Sequence, residues 1–192
     1  MAQNCPQLEY LDVSLTSGRI TNESIKIIAT NCKHLRYLDV GSTNERITDE
    51  SMMLIAANCH ELETLYVTDC WGAVTDETMK VVALNCPKLR YLGVCTSSGK
   101  ITDDSMMLVA QHCHCLEWLN LSCTDNITDK TLALVAQYCA DLARLTATSP
   151  IFTDASMLLI GENCKNLESL HVSYVVSEST LKDMLPFTSI YS

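Results

Sequence analysis

The sequence predicts an α/β solenoid: a curved arc of strand–helix units, parallel strands on its concave face and helices on its convex face. Three observations predict it. Seven cysteines, Cys5, Cys32, Cys59, Cys86, Cys113, Cys139 and Cys164, recur at intervals of 27, 27, 27, 27, 26 and 25 residues. Within each interval the apolar spacing switches from a period of two to a helical period. A Thr-Asp pair recurs at that switch, as a helix start would require. Residues 1–192 therefore read as a single domain of about seven repeats starting near those cysteines, the last one partial or capping.

The second unit carries every part: Cys32, Leu35, Leu38, Val40, Ile47-Thr48-Asp49, Met52, Ile55, Ala56, then Cys59. Its leucine pair returns as Leu8/Leu11, Leu62/Leu65, Leu89/Leu92, Leu116/Leu119, Leu142/Leu145 and Leu167/Leu170. In Leu38-Asp39-Val40 alternate residues are apolar, as in a strand with one face buried. Strands are expected to centre on Leu11–Val13, Leu38–Val40, Leu65–Val67, Leu92–Val94, Leu119–Leu121 and Leu170–Val172. In Met52, Ile55, Ala56 and Cys59 the spacing is that of one helix face.

Helices are expected to begin after Thr21, Thr48, Thr75, Thr102, Thr128 and Thr153 and to finish near the next cysteine. Threonine suits the N-cap, and Asp49 and Glu50 place negative charge on the unpaired amides of their own first turn. Asn31, Asn58, Asn85 and Asn163 fall at helix ends, where Asn tolerates a left-handed turn. One such unit cannot bury its apolar faces alone, so neighbours must stack. Strands space at about 4.8 Å and helices at about 10 Å, which bends the stack with strands inside. The last units drift. Ala147 replaces the strand Val, Phe152 replaces Ile, and Val176-Ser177-Glu178 stands for Ile-Thr-Asp. The ending Leu181, Met184, Leu185, Pro186, Phe187 reads as a cap or a truncated unit.

Composition narrows the function classes. The chain has 192 residues, 47% hydrophobic, and a formal net charge of −10. That charge argues against nucleic acid as partner, because phosphate binding draws on clustered Lys and Arg. No apolar run reaches the roughly 20 residues of a membrane span, so no membrane partner is expected. Met1-Ala2-Gln3-Asn4-Cys5 lacks the features of a signal peptide. The expected location is cytoplasmic or nuclear, where the seven repeat cysteines, of eleven in all, stay reduced. Asn22-Glu23-Ser24 and Asn126-Ile127-Thr128 match the glycosylation triplet by chance, since both fall at helix starts.

In a parallel, in-register stack, equivalent positions form columns. The column before the second leucine reads Tyr10, Tyr37, Thr64, Tyr91, Trp118, Arg144, Ser169. The column after it reads Asp12, Asp39, Tyr66, Gly93, Asn120, Thr146, His171. Both point away from the core and should line the concave surface. Tyr, Trp and Arg are favoured interface anchors. The expected partner-binding set is therefore Tyr10, Asp12, Tyr37, Asp39, Tyr66, Tyr91, Trp118, Asn120 and His171, with a protein as the partner. A third column, Glu9, Arg36, Glu63, Arg90, Glu117, Ala143, Glu168, alternates in sign and should form a surface ion-pair ladder.

Chemistry-bearing motifs are few. His112-Cys113-His114-Cys115 has metal-ligand residue types, but alternating side chains do not converge on one ion without a turn. Cys70, Cys95 and Cys123 sit near strand ends with no base arranged beside them. Trp71 could extend the aromatic surface at its rim. No phosphate loop, Gly-x-Ser-x-Gly or His-Glu-x-x-His occurs, and the chain holds six glycines. The sequence predicts no enzyme, no cofactor and no metal.

Cys-x-x-Leu-x-x-Leu-x-Val, followed by Ile-Thr-Asp and a helix ending in Cys, resembles the cysteine-containing leucine-rich repeats. These are typical of F-box and leucine-rich-repeat proteins, the substrate receptors of cullin-type ubiquitin ligases. The resemblance spans the chain and implies a leucine-rich-repeat solenoid that recognises a protein substrate. It also implies an F-box before the first repeat, whereas this chain opens on Asn4-Cys5. A ligase adaptor would thus bind only through a segment absent here. The alternative is a stand-alone inhibitor, scaffold or effector made only of repeats.

Overall fold

The computed structural model describes residues 5–16, 18–43, 45–70, 73–95, 100–172, 176–184 and 189–191. Trp71, Leu185, Pro186, Phe187 and the first four residues lie outside them, as does the side chain of Leu181. Strand and helix alternate throughout. The order is β1 (Tyr10–Asp12), α1 (Asn22–Asn31), β2 (Tyr37–Asp39), α2 (Asp49–Asn58), β3 (Thr64–Tyr66), α3 (Asp76–Asn85), β4 (Tyr91–Gly93) and α4 (Asp103–His112). It continues with β5 (Trp118–Asn120), α5 (Asp129–Tyr138), β6 (Arg144–Ala147), α6 (Asp154–Asn163), β7 (Ser169–Val172), α7 (Glu178–Met184) and β8 (Ser189–Tyr191).

All eight strands form one parallel sheet in chain order. Leu11, Leu38, Leu65, Leu92, Leu119, Leu145 and Leu170 stand opposite one another in register. Each expected strand begins one residue earlier than predicted and, before β6, ends one residue short. The Val13 amide still reaches the Asp39 carbonyl at 2.9 Å, so the pairing runs on beyond the regular strand. Leu145 also lies on a strand, although none was expected there, and β8 extends the sheet past the seventh unit. The ladder bonds are made by backbone, so a small side chain at Ala147 does not interrupt them.

The core lies between sheet and helices. Leu38, Leu65, Leu92 and Leu119 are fully buried, as are Met52, Met79 and Cys59, Cys86, Cys113. These side chains belong to one continuous apolar cluster running from Val13 to Met184. Phe152 is buried in the same unit that carries the small Ala147, so volume lost at one core position is gained at another.

Helix starts follow the threonines. Thr48, Thr75, Thr102 and Thr128 accept the amide two residues on; Thr21 and Thr153 make no such side-chain bond. One sequence expectation is met and extended, and another requires correction. Asp49 and Glu50 do lie in the first turn of their helix, and Asp49 also serves the next unit. Its carboxylate accepts the Thr75 amide (2.9 Å), the Thr75 hydroxyl (2.7 Å) and the Thr78 hydroxyl (2.5 Å) of the next unit. Asp76 does the same for Thr102 and Ser105, and Asp103 for Thr128 and Thr131. The helix-end asparagines adopt no left-handed backbone; Asn31, Asn58, Asn85 and Asn163 instead donate from Nδ2 to the carbonyl four residues back at 2.8–2.9 Å. Among the described residues the left-handed positions are Leu15, Ser42, Asp69 and Cys123, one repeat position in the loop after the strand, together with Gly18 and Glu45 further along that loop.

Candidate interaction face

The pleat divides each three-residue strand. Its central leucine faces the core, and the residues on either side face the concave surface. Strand register then aligns Tyr10 with Tyr37, Tyr91 with Trp118 and Asp12 with Asp39. Tyr10 is 58% exposed, Tyr37, Tyr66, Tyr91 and Trp118 are half-buried, and Thr64 is buried. The expected aromatic residues thus share one face.

They also touch. The Tyr10 and Tyr37 rings stack at 4.0 Å with 13° between planes. Tyr37 meets Tyr66 edge-on at 5.8 Å, and Tyr66 meets Trp118 edge-on at 5.4 Å. Such pairs contribute about 0.5–1.5 kcal/mol each beyond area burial. The last contact skips a strand, and Gly93 permits it. A Cβ built on Gly93 would lie 2.9 Å from the Tyr66 ring and 3.5 Å from Trp118. Tyr91 stands apart from the chain of rings; its hydroxyl donates to Glu117 at 2.7 Å, and the Arg90 guanidinium lies 5.8 Å from its ring centre.

The polar members divide differently. Asp12 accepts the Ser14 amide, Asp39 the Gly41 amide and Asn120 the Ser122 amide and hydroxyl, each bond closing the turn after its strand. One oxygen of each side chain is therefore committed to local structure. Burial pushes the Asp39 carboxyl above the ordinary aspartate value, against the lowering effect of the Gly41 amide, and the neighbouring Asp12 adds to the rise. Burial likewise raises the Tyr37 and Tyr66 phenols. His171 is exposed on β7, three strands beyond Tyr91 in the sheet.

Arg144, outside the expected set, is exposed beside Trp118 on the adjacent strand, and its charge acts on Tyr66, Tyr91 and Glu117. Gly93 is a second omission. Both had a sequence signal: Gly93 is the one empty place in its column, and Arg144 the one cation in the other. The sign-alternating column forms ion pairs in two blocks. Arg36 lies 3.8 Å from Glu9 and 2.6 Å from Glu63, and Arg90 pairs with Glu117.

The remaining candidates do not converge. In His112-Cys113-His114-Cys115 only Cys113 is buried; the other three are exposed. Among the described residues no group of three His, Cys, Asp or Glu is placed to hold a metal. Cys70 is buried and its thiol is pushed up to about 12, first by desolvation. Cys95 is half-buried and Cys123 exposed. Among the described residues no helix is long and apolar enough to cross a membrane.

A family model described as "Leucine Rich repeat" matches residues 31–56, the second unit with the end of the helix before it. Several solved structures superpose over most of the chain. The fold is a leucine-rich-repeat solenoid. One similar chain belongs to the crystal structure of the Rad7 and Elc1 complex in yeast, with TM-score 0.76, 18% identity, and 89% of this chain covering 44% of that one. Internalin C2 of Listeria monocytogenes gives TM-score 0.67 at 18% identity, over 95% of this chain and 73% of that one. The TLR13–ssRNA13 complex gives TM-score 0.57 at 19% identity, over 90% of this chain and 27% of that one. This solenoid thus spans less than half of the Rad7–Elc1 chain it matches. No curated protein sequence matches it.

Proposed function

We propose that this solenoid is a protein-binding module that holds its partner on the concave sheet. The single observation that carries this is the chain of touching aromatic rings, Tyr10, Tyr37, Tyr66 and Trp118, spread along one face of the sheet. Rigid rings give contact area with few rotamers to freeze, and a sheet fixed by its ladder needs little reordering on binding. Asp12, Asp39, Asn120 and His171 supply the polar selectivity around them.

We take residues 1–192 as one repeat domain of the cysteine-containing type, and its role as the substrate-recognition part of an F-box-type ubiquitin-ligase receptor. The repeat grammar of Cys32, Leu35, Leu38 and Ile47-Thr48-Asp49 supports that assignment, as does the shared fold with a chain of the Rad7–Elc1 complex. Adaptor contact belongs to another segment. The working location is cytoplasm or nucleus, and the module has no catalytic role.

The test starts from a partner recovered by affinity capture with the full-length protein. Trp118→Ala and Tyr66→Ala should each weaken binding by about 2 kcal/mol, the usual cost of truncating a central anchor. Each variant should also lose stability with its ring contacts, about 0.5–1.5 kcal/mol per pair, so binding is compared at a temperature where both remain folded. Unchanged binding in both, with loss on substitution of convex residues such as Leu54 and Leu84, would remove the concave face as the site. Failure of a cullin adaptor to co-purify with the full-length protein would remove the ligase role alone.

A further inference from the structure

The concave face is electrically lopsided. Asp12 and Asp39 stand side by side on β1 and β2, next to the stacked Tyr10 and Tyr37 rings. Among the described residues no Lys, Arg or His forms an ion pair with either carboxylate, and Asp39 feels Asp12 as a like charge. At the other side of the aromatic chain, exposed Arg144 on β6 also forms no ion pair among the described residues; the nearby Glu117 is engaged by Arg90 and Tyr91. Elsewhere on this sheet opposite charges satisfy each other, as Glu9, Arg36 and Glu63 do. Within the strands themselves the formally charged side chains are Asp12, Asp39 and Arg144, and they bracket the rings.

Building on the concave-site reading above, we propose that the partner contributes a short extended segment lying across the strands. That segment places a cationic side chain, Lys or Arg, at Asp12/Asp39 and an anionic one, Asp or Glu, at Arg144. Its apolar side chains lie between them on Tyr66 and Trp118. The spacing follows from the sheet. From β2 to β6 are four strand steps of about 4.8 Å, roughly 19 Å, and an extended chain advances about 3.3 Å per residue. The two charges are thus about six residues apart, cation toward β1. The carboxylate pair lowers the potential where the cation docks, and the open Tyr10 ring face adds a cation–π contact.

The experiment is selection of a displayed random dodecapeptide library on the intact chain, followed by fluorescence anisotropy with the best synthetic peptide. Enriched sequences should carry Lys or Arg and Asp or Glu about five to seven positions apart. Asp12→Lys and Arg144→Glu should each lower affinity about tenfold or more, and exchanging the two charges in the peptide should restore binding to the double variant. Both positions are exposed, so thermal unfolding should be unchanged. Enriched peptides without that charge pair, or an affinity indifferent to both substitutions, overturn the proposal. If those peptides still depend on Tyr66 and Trp118, the concave-site reading survives; if they ignore the rings, it falls too. A library with no enriched member overturns the proposal as well.

Discussion

At the helix starts, Asp49, Asp76 and Asp103 each spend both carboxylate oxygens on the next unit, whereas Asp12 and Asp39 on the concave sheet each spend one on their own turn. The electrostatics diverge accordingly. Burial disfavours ionised Asp103, but bonds from Thr128 and Thr131 outweigh it and hold its carboxyl below the ordinary value. Burial of Asp39 is met by one backbone bond and a like-charged neighbour, and its carboxyl sits above the ordinary value. One aspartate set ties units together, whereas on the sheet ionised Asp39 is carried at a cost. A side chain retained against folding stability is what a binding surface leaves behind.

The comparison breaks first at Asp76. Asp76→Ala strips partners from the Thr102 amide and hydroxyl and from Ser105, and should cost about 2–3 kcal/mol in urea unfolding. Asp12→Ala should change stability by less than about 0.5 kcal/mol, since Asp12 is exposed. Equal costs would end the distinction. Next comes Gly93→Ala, whose new methyl displaces the Tyr66 ring from Trp118 at about 1 kcal/mol. It should alter Trp118 fluorescence and weaken partner binding while the helix signal in circular dichroism is kept.

Acid titration gives a smaller effect of known sign. With its folded pKa depressed, Asp103 contributes stability that is present above the unfolded value near 4 and lost as pH falls through the folded one. The wild type should therefore lose stability below about pH 4, and Asp103→Asn should lose less over that window. Asp39 has the opposite sign: its raised folded pKa means a contribution present at low pH and lost as pH rises through that pKa. Asp39→Asn should gain a few tenths of a kcal/mol at pH 7, reduced because half the group faces solvent. A loss at pH 7 would place Asp39 with Asp49, Asp76 and Asp103.

The fold was legible because periodicity is a property of local sequence. Leu38-Asp39-Val40 and Met52, Ile55, Ala56 each announce their element, and in-register stacking turns repeated positions into columns. The concave residues followed from that alone. What escaped depended on neighbours. Read inside one unit, Asp49 belongs to its own helix; only the stacked arrangement delivers its oxygens to Thr75 and Thr78. The residue type of Asn31 and its equivalents permits a turn, whereas the side-chain bond to Ile27 needs the finished helix. Gly93 shows in its column as an empty place, but what that space is for, the passage through which Tyr66 reaches Trp118, depends on two other strands.

The repeat cysteines carry a consequence for how the array comes apart. Cys59, Cys86, Cys113, Cys139 and Cys164 each donate Sγ–H to the carbonyl of the preceding repeat cysteine at 3.4–3.9 Å, and desolvation pushes Cys86, Cys113 and Cys139 up to about 12. A buried, protonated thiol does not react with an alkylating reagent. From the second unit onward each unit therefore holds one sealed reporter at an equivalent place, and it is unsealed only when that unit parts from the one before. In a linear array of nearest-neighbour contacts, the order in which these thiols become labelled is the order in which the joints open.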